Sequence, residues 1–325
     1  MTEKRLRLLV TRRWPEAAES YLAERYDAVF NSNDGPMTQE ALSQAFDAYD
    51  VICPTVSDKI DAAIIGTAPQ RTRLLANFGV GYDHIDLAAC KTAGVAVTNT
   101  PGVLTDATAD LAMTLMLMAA RRAGEGEREL RAGNWTGWRP THLTGRQLSG
   151  KVLGLVGFGR IAQAVAKRAH HGFGMDILYY SRSVAQEAVE KDLSAKRVNS
   201  LEALLEQSDV VSLHVPGGAE TQNMIGAEQI AAMKRSAILI NTARGGVIDH
   251  DALALALKSG VIATAGLDVY PAEPKIPAEL LEMENIVLLP HLGSATVETR
   301  EAMGMRAAKN VDAFAAGAPL PDRVV

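Results

Sequence analysis

The chain has 325 residues, 47% hydrophobic and 22% charged, a globular balance with enough apolar material for two cores. Its 33 Lys and Arg against 38 Asp and Glu leave a formal charge of -5, so no basic field attracts nucleic acid or anionic lipid, and both are excluded as main partners. The apolar part of MTEKRLRLLV is too short for a signal peptide, the run Leu111 to Ala120 is about half of what a bilayer needs, and Cys53 and Cys90 make no disulfide framework, which together point to a reduced, cytoplasmic protein.

In chain order, RLRLLV, PEAAESYLAERY, TQEALSQAF, DVICPT, DKIDAAII, RLLANF, HIDLAACKTAG and VAVTN alternate apolar runs with amphipathic stretches. That rhythm predicts β-α units around a parallel sheet. Thr100-Pro101-Gly102 then leads into a long apolar helix, Asp106 to Arg122, with an acid at its start and Arg121, Arg122 and Gly124 at its end. The following AGEGERELRAGNWTGWRPTHLTGRQLSG reads as a polar loop. A second alternating series places strands at KVLGLVG, DILYYS, DVVSLHV, AILINT, ATAGLDV and NIVLLP, and a last helix at Ser294 to Ala316. Solenoid periods and low-complexity tracts are absent from the sequence, so the expected fold class is α/β with two doubly wound parallel-sheet domains.

KVLGLVGFGRIAQAVAKRAHHG sets Gly157-Phe158-Gly159-Arg160-Ile161-Ala162 directly after an apolar strand and at a helix start. A G-x-G-x-x-G/A turn in this context binds a dinucleotide: the first glycine turns tightly, the second admits a pyrophosphate, and the helix N-terminus supplies N–H groups. The competing reading, glycines that merely turn the chain, is disfavoured by strand and helix in register. After DILYY an acid would serve the ribose hydroxyls of NAD, but the chain reads Ser181-Arg182-Ser183, with Asp176 at the wrong end of the strand. Two hydroxyls and a guanidinium suit a 2′-phosphate, so NADP(H) is preferred and NAD(H) possible, against the alternative that Arg182 is only solvated.

Arg244 after AILINTA, Glu273 after GLDVYPA and His291 after NIVLLP fall just past the carboxyl ends of predicted strands, the ligand-binding edge of an open α/β sheet. Reduction of a 2-keto acid needs a cation for the carboxylate and carbonyl, and an acid for the forming alkoxide. Arg244 and His291 suit these roles, and Glu273 could orient the imidazole and favour its charged form. Each has a bland alternative (a surface ion pair, a loop flank, a helix cap), but their convergence beside a cofactor turn outweighs it. His84 reads as part of a helix start, His142, His170, His171 and His250 as exposed, and His214 as the end of a strand facing the cofactor crevice. None has metal-ligand spacing, and Met113, Met116 and Met118 read as core or subunit-interface packing.

These stretches, with NFGVGYDHIDLAACKTAGVAVTNTPGVLTDATADLAM and LLPHLGSAT, resemble the D-isomer-specific 2-hydroxyacid dehydrogenases over roughly residues 50 to 315, and most of all the glyoxylate/hydroxypyruvate reductases. The resemblance implies a Rossmann cofactor domain (100–289) inserted into a flavodoxin-like substrate domain (1–99 plus 290–325). It also implies hydride transfer to C2 of glyoxylate or hydroxypyruvate, giving glycolate or D-glycerate, with His291 as acid/base, Glu273 as its partner and Arg244 on the substrate. Backbone N–H groups of Val80 and Gly81 would hold the substrate carboxylate, and Asp268 would lie near the nicotinamide. Other cofactor contacts carry over to Phe158 through Ile161, Ser181 to Ser183, Pro216, Thr242, Thr105 and Thr221. Such proteins are usually homodimers joined through the cofactor domains. Departures are Ala162 for the commoner third glycine and Gly217-Gly218 after HVP; substrate choice would depend on side chains near Val56 and Ser57. Two other readings are a dinucleotide-sensing, corepressor-like binding protein and a phosphite dehydrogenase; formate-type sites carry an amide where Glu273 stands.

Overall fold

In a computed structural model, described for residues 5–66 and 70–325, the chain divides into two units, Met1–Leu104 with Ser294–Val325, and Thr105–Gly293. The first residues of the stretch weighed as a leader lie outside the described part. In chain order the first unit contains β1 (Arg7–Val10), α1 (Glu16–Arg25), β2 (Asp27–Phe30), α2 (Gln39–Ala48), β3 (Val51–Cys53), α3 (Ala62–Ile65), β4 (Leu74–Ala76), α4 (Leu87–Ala93) and β5 (Ala96–Thr98). The second contains α5 (Thr105–Arg121), α6 (Ala123–Arg131), β6 (Val152–Val156), α7 (Arg160–Phe173), β7 (Asp176–Tyr180), α8 (Glu187–Asp192), β8 (Ala195–Arg197), α9 (Leu201–Gln207) and β9 (Val210–Leu213). It continues through α10 (Ala227–Ala231), β10 (Ile238–Asn241), α11 (His250–Ser259), β11 (Thr264–Leu267), α12 (Ala278–Leu281) and β12 (Ile286–Leu288), after which α13 (Val297–Ala315) returns to the first unit.

Strand order in the first unit is β2-β1-β3-β4-β5 and in the second β12-β11-β10-β9-β6-β7-β8, with every pairing between these strands parallel. The side-chain period of two explains why apolar runs are continuous in these strands: both faces are covered. In the first unit Leu8, Val10, Leu74 and Ala76 pack with Ala18, Leu22 and Met303, while Leu9, Ile52 and Leu75 pack with Phe46, Ile64 and Cys90 on the other face. Each fully buried Leu or Ile contributes about 1.5–3 kcal/mol, so a polar residue on either face would be costly. In the second unit α5 lays Ala112, Met113 and Met116 against Leu153, Leu155 and Ile240, which makes Met113 and Met116 core residues. Cys53 and Cys90 are free and buried, and burial pushes each thiol up to about 12. No helix among the described residues is long and apolar enough to cross a membrane.

Several elements differ from expectation. Residues 123–131, read as loop, form α6, which buries none of its side chains and so shows no apolar stripe; Arg122 instead pairs with Glu125, and Arg131 with Glu127. The short β2 and the polar edge strand β8 were absent from the expected strands; β8 buries only Ala195 and is fixed by backbone pairing of Ile177 to Tyr179 with Ala195 to Arg197. His250, expected to be exposed, is 6% exposed. The crossings between units fall at 104/105 and 293/294 rather than at 99/100 and 289/290, which puts His291 in the cofactor unit. The cause is local: the segment after β12 is hydrogen-bonded to Asp268 of the same unit.

The C-terminal segment is pinned beside β5, where Val97 N–H donates to Val325 O and Val324 N–H to Val97 O. Asp322, 8% exposed, anchors it by accepting from Arg306 Nε (2.8 Å), Arg306 Nη2 (2.7 Å) and Asn310 Nδ2 (2.9 Å). Burial would raise its pKa, but the Arg306 and Asn310 hydrogen bonds and the Arg306 charge outweigh it and hold the carboxyl below its usual range. Such a carboxylate stabilises the fold above its unfolded pKa, and that contribution is lost as pH falls through the depressed folded value. Asp322→Asn is therefore expected to cost about 2 kcal/mol at neutral pH. In urea unfolding the gap to wild type should close below about pH 4; a gap independent of pH would assign the loss to packing instead.

Candidate active site

β10, β11 and β12 are neighbours, so their carboxyl ends bring the 241–245, 268–273 and 289–293 segments to one sheet edge. His291 Nδ1 lies 2.7 Å from Glu273 Oε2, and Glu273 Oε1 accepts from Tyr270 N–H at 2.9 Å. With a carboxylate as acceptor, Nδ1 carries the hydrogen and Nε2 is the nitrogen left for chemistry. Both side chains remain about one-third exposed, 32% for His291 and 34% for Glu273. Burial would raise the Glu273 pKa, but the hydrogen bond and charge of His291, the Tyr270 N–H and the Arg244 charge together hold it below the ordinary range.

His291 has a φ of +55°, a left-handed conformation that costs a non-glycine residue roughly 1–2 kcal/mol. It is held there by Asp268, 1% exposed, whose carbonyl accepts from His291 N–H (3.0 Å) and whose carboxylate accepts from Leu292 N–H (2.7 Å) and Gly293 N–H (2.8 Å). Burial pushes the Asp268 pKa up, while these N–H groups and the His291 charge pull the other way.

The arginine loop is clamped by Asn241, fully buried at the end of β10: its Nδ2 donates to Arg244 O (2.9 Å) and its Oδ1 accepts from Ala243 N–H (3.0 Å). Gly245 follows because a Cβ there would lie 1.9 Å from the Tyr270 carbonyl carbon, so the loop can pass against the Glu273 segment only without a side chain. His250 Nε2 reaches Gly245 O at 3.1 Å from below. Asn241 was not singled out in the sequence and His250 was read only as exposed; a polar residue ending an apolar strand, as Asn241 ends ILIN, was the available signal.

On the same edge, β6 runs into Gly157, whose φ of +85° and Cβ position, 2.6 Å from His214 O, exclude other residues. Gly159 caps α7 without a side-chain hydrogen bond and faces open space, so the first N–H groups of α7 remain for an anion. Thr242 Oγ1 is buried and without a partner among the described residues. A cradle that a Cβ would fill, an uncapped helix start and an orphaned hydroxyl fit a dinucleotide. The Phe158 ring is buried and stacks on Tyr179 at 4.1 Å, so only its backbone can serve a ligand. Arg160 is exposed, Ile161 packs partly into the core, and Thr105 begins α5. Thr221 Oγ1 donates to Pro216 O at 2.7 Å, and Arg182 Nη1 to Glu220 Oε2 at 2.9 Å. Among the described residues no group of three or more His, Cys, Asp or Glu is placed to hold a metal.

In the first unit, the Gly79–Gly81 carbonyls are all taken: Gly79 O and Gly81 O by Asn77 Nδ2 (3.2 and 2.9 Å) and Val80 O by Asn99 Nδ2 (2.8 Å). The Val80 and Gly81 N–H groups meet no acceptor among the described residues. His84, expected at a helix start, instead bonds Asn77 Oδ1 at 3.1 Å and supports this loop. Val56 is exposed, and Ser57 Oγ accepts from Arg12 Nη1 at 3.0 Å.

Residues 113–293 match the family described as D-isomer specific 2-hydroxyacid dehydrogenase, NAD binding domain. The chain is 46% identical to a glyoxylate reductase of Thermococcus litoralis over 98% of its length and 96% of that protein's. It is 46% identical to one of Korarchaeum cryptofilum over 98% and 95%. Among solved structures it resembles a D-isomer specific 2-hydroxyacid dehydrogenase of Polaromonas (TM-score 0.91, 37% identity, 99% of this chain and 100% of that one). It also resembles the NADPH-dependent glyoxylate/hydroxypyruvate reductase of Sinorhizobium meliloti in complex with NADP and malonate (TM-score 0.87, 33% identity, 99% and 97%). With the dinucleotide cradle, the His291–Glu273 pair and these relatives in agreement, the chain belongs to the D-isomer specific 2-hydroxyacid dehydrogenase family and is an NAD(P)-dependent oxidoreductase that acts on a small 2-keto acid.

Proposed function

We propose that this enzyme reduces glyoxylate or hydroxypyruvate to glycolate or D-glycerate, drawing on NADPH before NADH. The observation that carries the chemistry is the 2.7 Å contact between His291 Nδ1 and a Glu273 carboxylate that also feels the Arg244 charge. The names of the similar reductases support the substrate class. When bound, the nicotinamide supplies the hydride for C2. Arg244 is assigned to the substrate carboxylate and carbonyl, and the N–H groups of Val80 and Gly81, which meet no acceptor among the described residues, are assigned to substrate binding. His291 Nε2 gives its proton to the forming alkoxide, and Glu273 keeps the ring oriented through Nδ1.

The cofactor is assigned to the backbone of Gly157, Phe158, Gly159, Arg160 and Ile161, to Thr105, Pro216, Thr221 and Thr242, and to Ser181, Arg182 and Ser183 at the 2′-phosphate. Asp268 carboxylate oxygens keep lone pairs for the nicotinamide amide beside their two N–H bonds. Exposed Leu130, Trp135 and Trp138 support a homodimer built through the cofactor unit, and the free Cys53 and Cys90 thiols support a cytoplasmic setting. Turnover of a panel of 2-keto acids with each nicotinamide, followed at the nicotinamide band, tests the whole; absence of glyoxylate and hydroxypyruvate turnover would overturn it.

His291→Ala is expected to lower kcat by about 10²-fold or more with cofactor binding intact; turnover within a few-fold of wild type in folded protein would remove His291 as proton donor. Glu273→Gln keeps the shape but puts a neutral amide where the carboxylate accepts from His291 Nδ1, so the ring loses the partner that fixes its orientation and tautomer. The kcat for reduction should accordingly fall by about 10-fold or more with cofactor binding little changed, and a kcat close to wild type under rate-limiting chemistry would break the pairing. Ser181→Asp with Arg182→Ala should reverse an NADPH preference of about ten-fold or more, because the carboxylate accepts from free ribose hydroxyls and repels phosphate. Comparison of kcat/KM for both cofactors in both proteins checks it.

A further inference from the structure

Two charged residues that no cofactor contact above includes flank the 181–183 segment. Arg197 ends β8 in register with Tyr179 of β7, and its Nη2 donates to Ser181 O at 2.9 Å, the only hydrogen bond of that guanidinium among the described residues. On the other side, Arg182 Nη1 meets Glu220 Oε2 at 2.9 Å, with both side chains 83% exposed. The order β9-β6-β7-β8 fixes what this pair spans: Glu220 follows β9 and Arg182 follows β7, so their bond runs over the end of β6, where Gly157 to Gly159 turn. An ion pair this exposed is weak and exchanges readily for a better partner.

We propose that the 2′-phosphate of NADPH is held by a clamp of two arginines, Arg182 and Arg197, and that Glu220 is the counter-ion the phosphate must displace from Arg182. The proposal rests on the NADPH reading and names what tunes it. Two guanidinium groups hold a phosphate dianion more tightly than one in a solvated site, and Arg197 offers a planar fork already steered by its bond to the Ser181 carbonyl. Glu220 works against the phosphate twice: it neutralises Arg182 before binding, and it leaves a carboxylate near the bound anion. Net preference for NADPH is therefore the difference between two arginines and one glutamate rather than a property of the Ser-Arg-Ser segment alone.

Arg197→Gln and Glu220→Gln in the full-length enzyme test this through the ratio of kcat/KM for NADPH to that for NADH, and through the ratio of 2′,5′-ADP to 5′-AMP affinity by calorimetry. Arg197→Gln should lower both ratios by roughly 5- to 10-fold, and Glu220→Gln should raise both by about 2- to 5-fold. Unchanged ratios, or equal losses for both cofactors with Arg197→Gln, would reduce Arg197 to a structural prop of the 181 loop and overturn the clamp. A fall in the ratios with Glu220→Gln would overturn the counter-ion role. A wild type that favours NADH would sink the cofactor reading above, while opposite shifts in the two variants would still uphold the clamp.

Discussion

One buried carboxylate, Asp268, organises the edge of the second unit that carries His291. Taking a carboxylate out of water costs several kcal/mol, and here the cost is offset by N–H donors from Leu292 and Gly293 at 2.7 and 2.8 Å and by the His291 charge. Those same bonds turn the chain sharply after β12. They hold His291 at a φ that its side chain disfavours, and thereby aim Nδ1 at Glu273. Gly293 is part of the same constraint, since a Cβ there would come within 3.3 Å of the Asp268 carboxylate. The His291–Glu273 contact is thus a consequence of backbone placement, with the Tyr270 N–H holding the other oxygen of Glu273.

The arginine loop is held by a second device of the same kind. Asn241 satisfies Ala243 N–H and Arg244 O, and Gly245 allows close passage by Tyr270. Just past β10 and β11, Asn241 and Asp268 each use a side chain to fix the backbone that carries Arg244 and His291, and the parallel order β10-β11-β12 brings both segments to one edge. Preorganised groups of this kind need little rearrangement during reaction.

Much of this was legible in the residues. The glycine turn, the apolar strand runs and the three titratable groups past strand ends follow from spacing, because period-two burial and the geometry of a dinucleotide turn leave few alternatives. The rest was hidden for physical reasons. Helix α6 is too polar to offer an apolar face to the core; β8 is an edge whose Lys196 and Arg197 face solvent; His250 is buried where its ring turns back to the Gly245 carbonyl. The segment around His291 groups with the second unit because Asp268 holds it there through Leu292 and Gly293 N–H, a contact 24 to 25 residues apart in sequence. Asn77 and His84 hold the Val80 loop through local bonds within the 77–84 segment, which carries no periodic signal, while Asn99 reaches Val80 O from the end of the next strand.

The return of α13 to the first unit has a consequence for how the chain is made. The face of β1, β3 and β4 that carries Leu8, Val10 and Leu74 is covered partly by Met303, Ala307 and Val311, which leave the ribosome after the whole of Thr105–Gly293. At about 5–20 residues per second those 189 intervening residues (293 − 105 + 1) take roughly 10–40 s to synthesise. During that interval the unit that begins first is open along an apolar sheet face, while the uninterrupted second unit has all its own strands. The unit first in sequence is therefore the last to finish folding, and the nascent chain's exposure to chaperones and to aggregation is set by the length of the insertion.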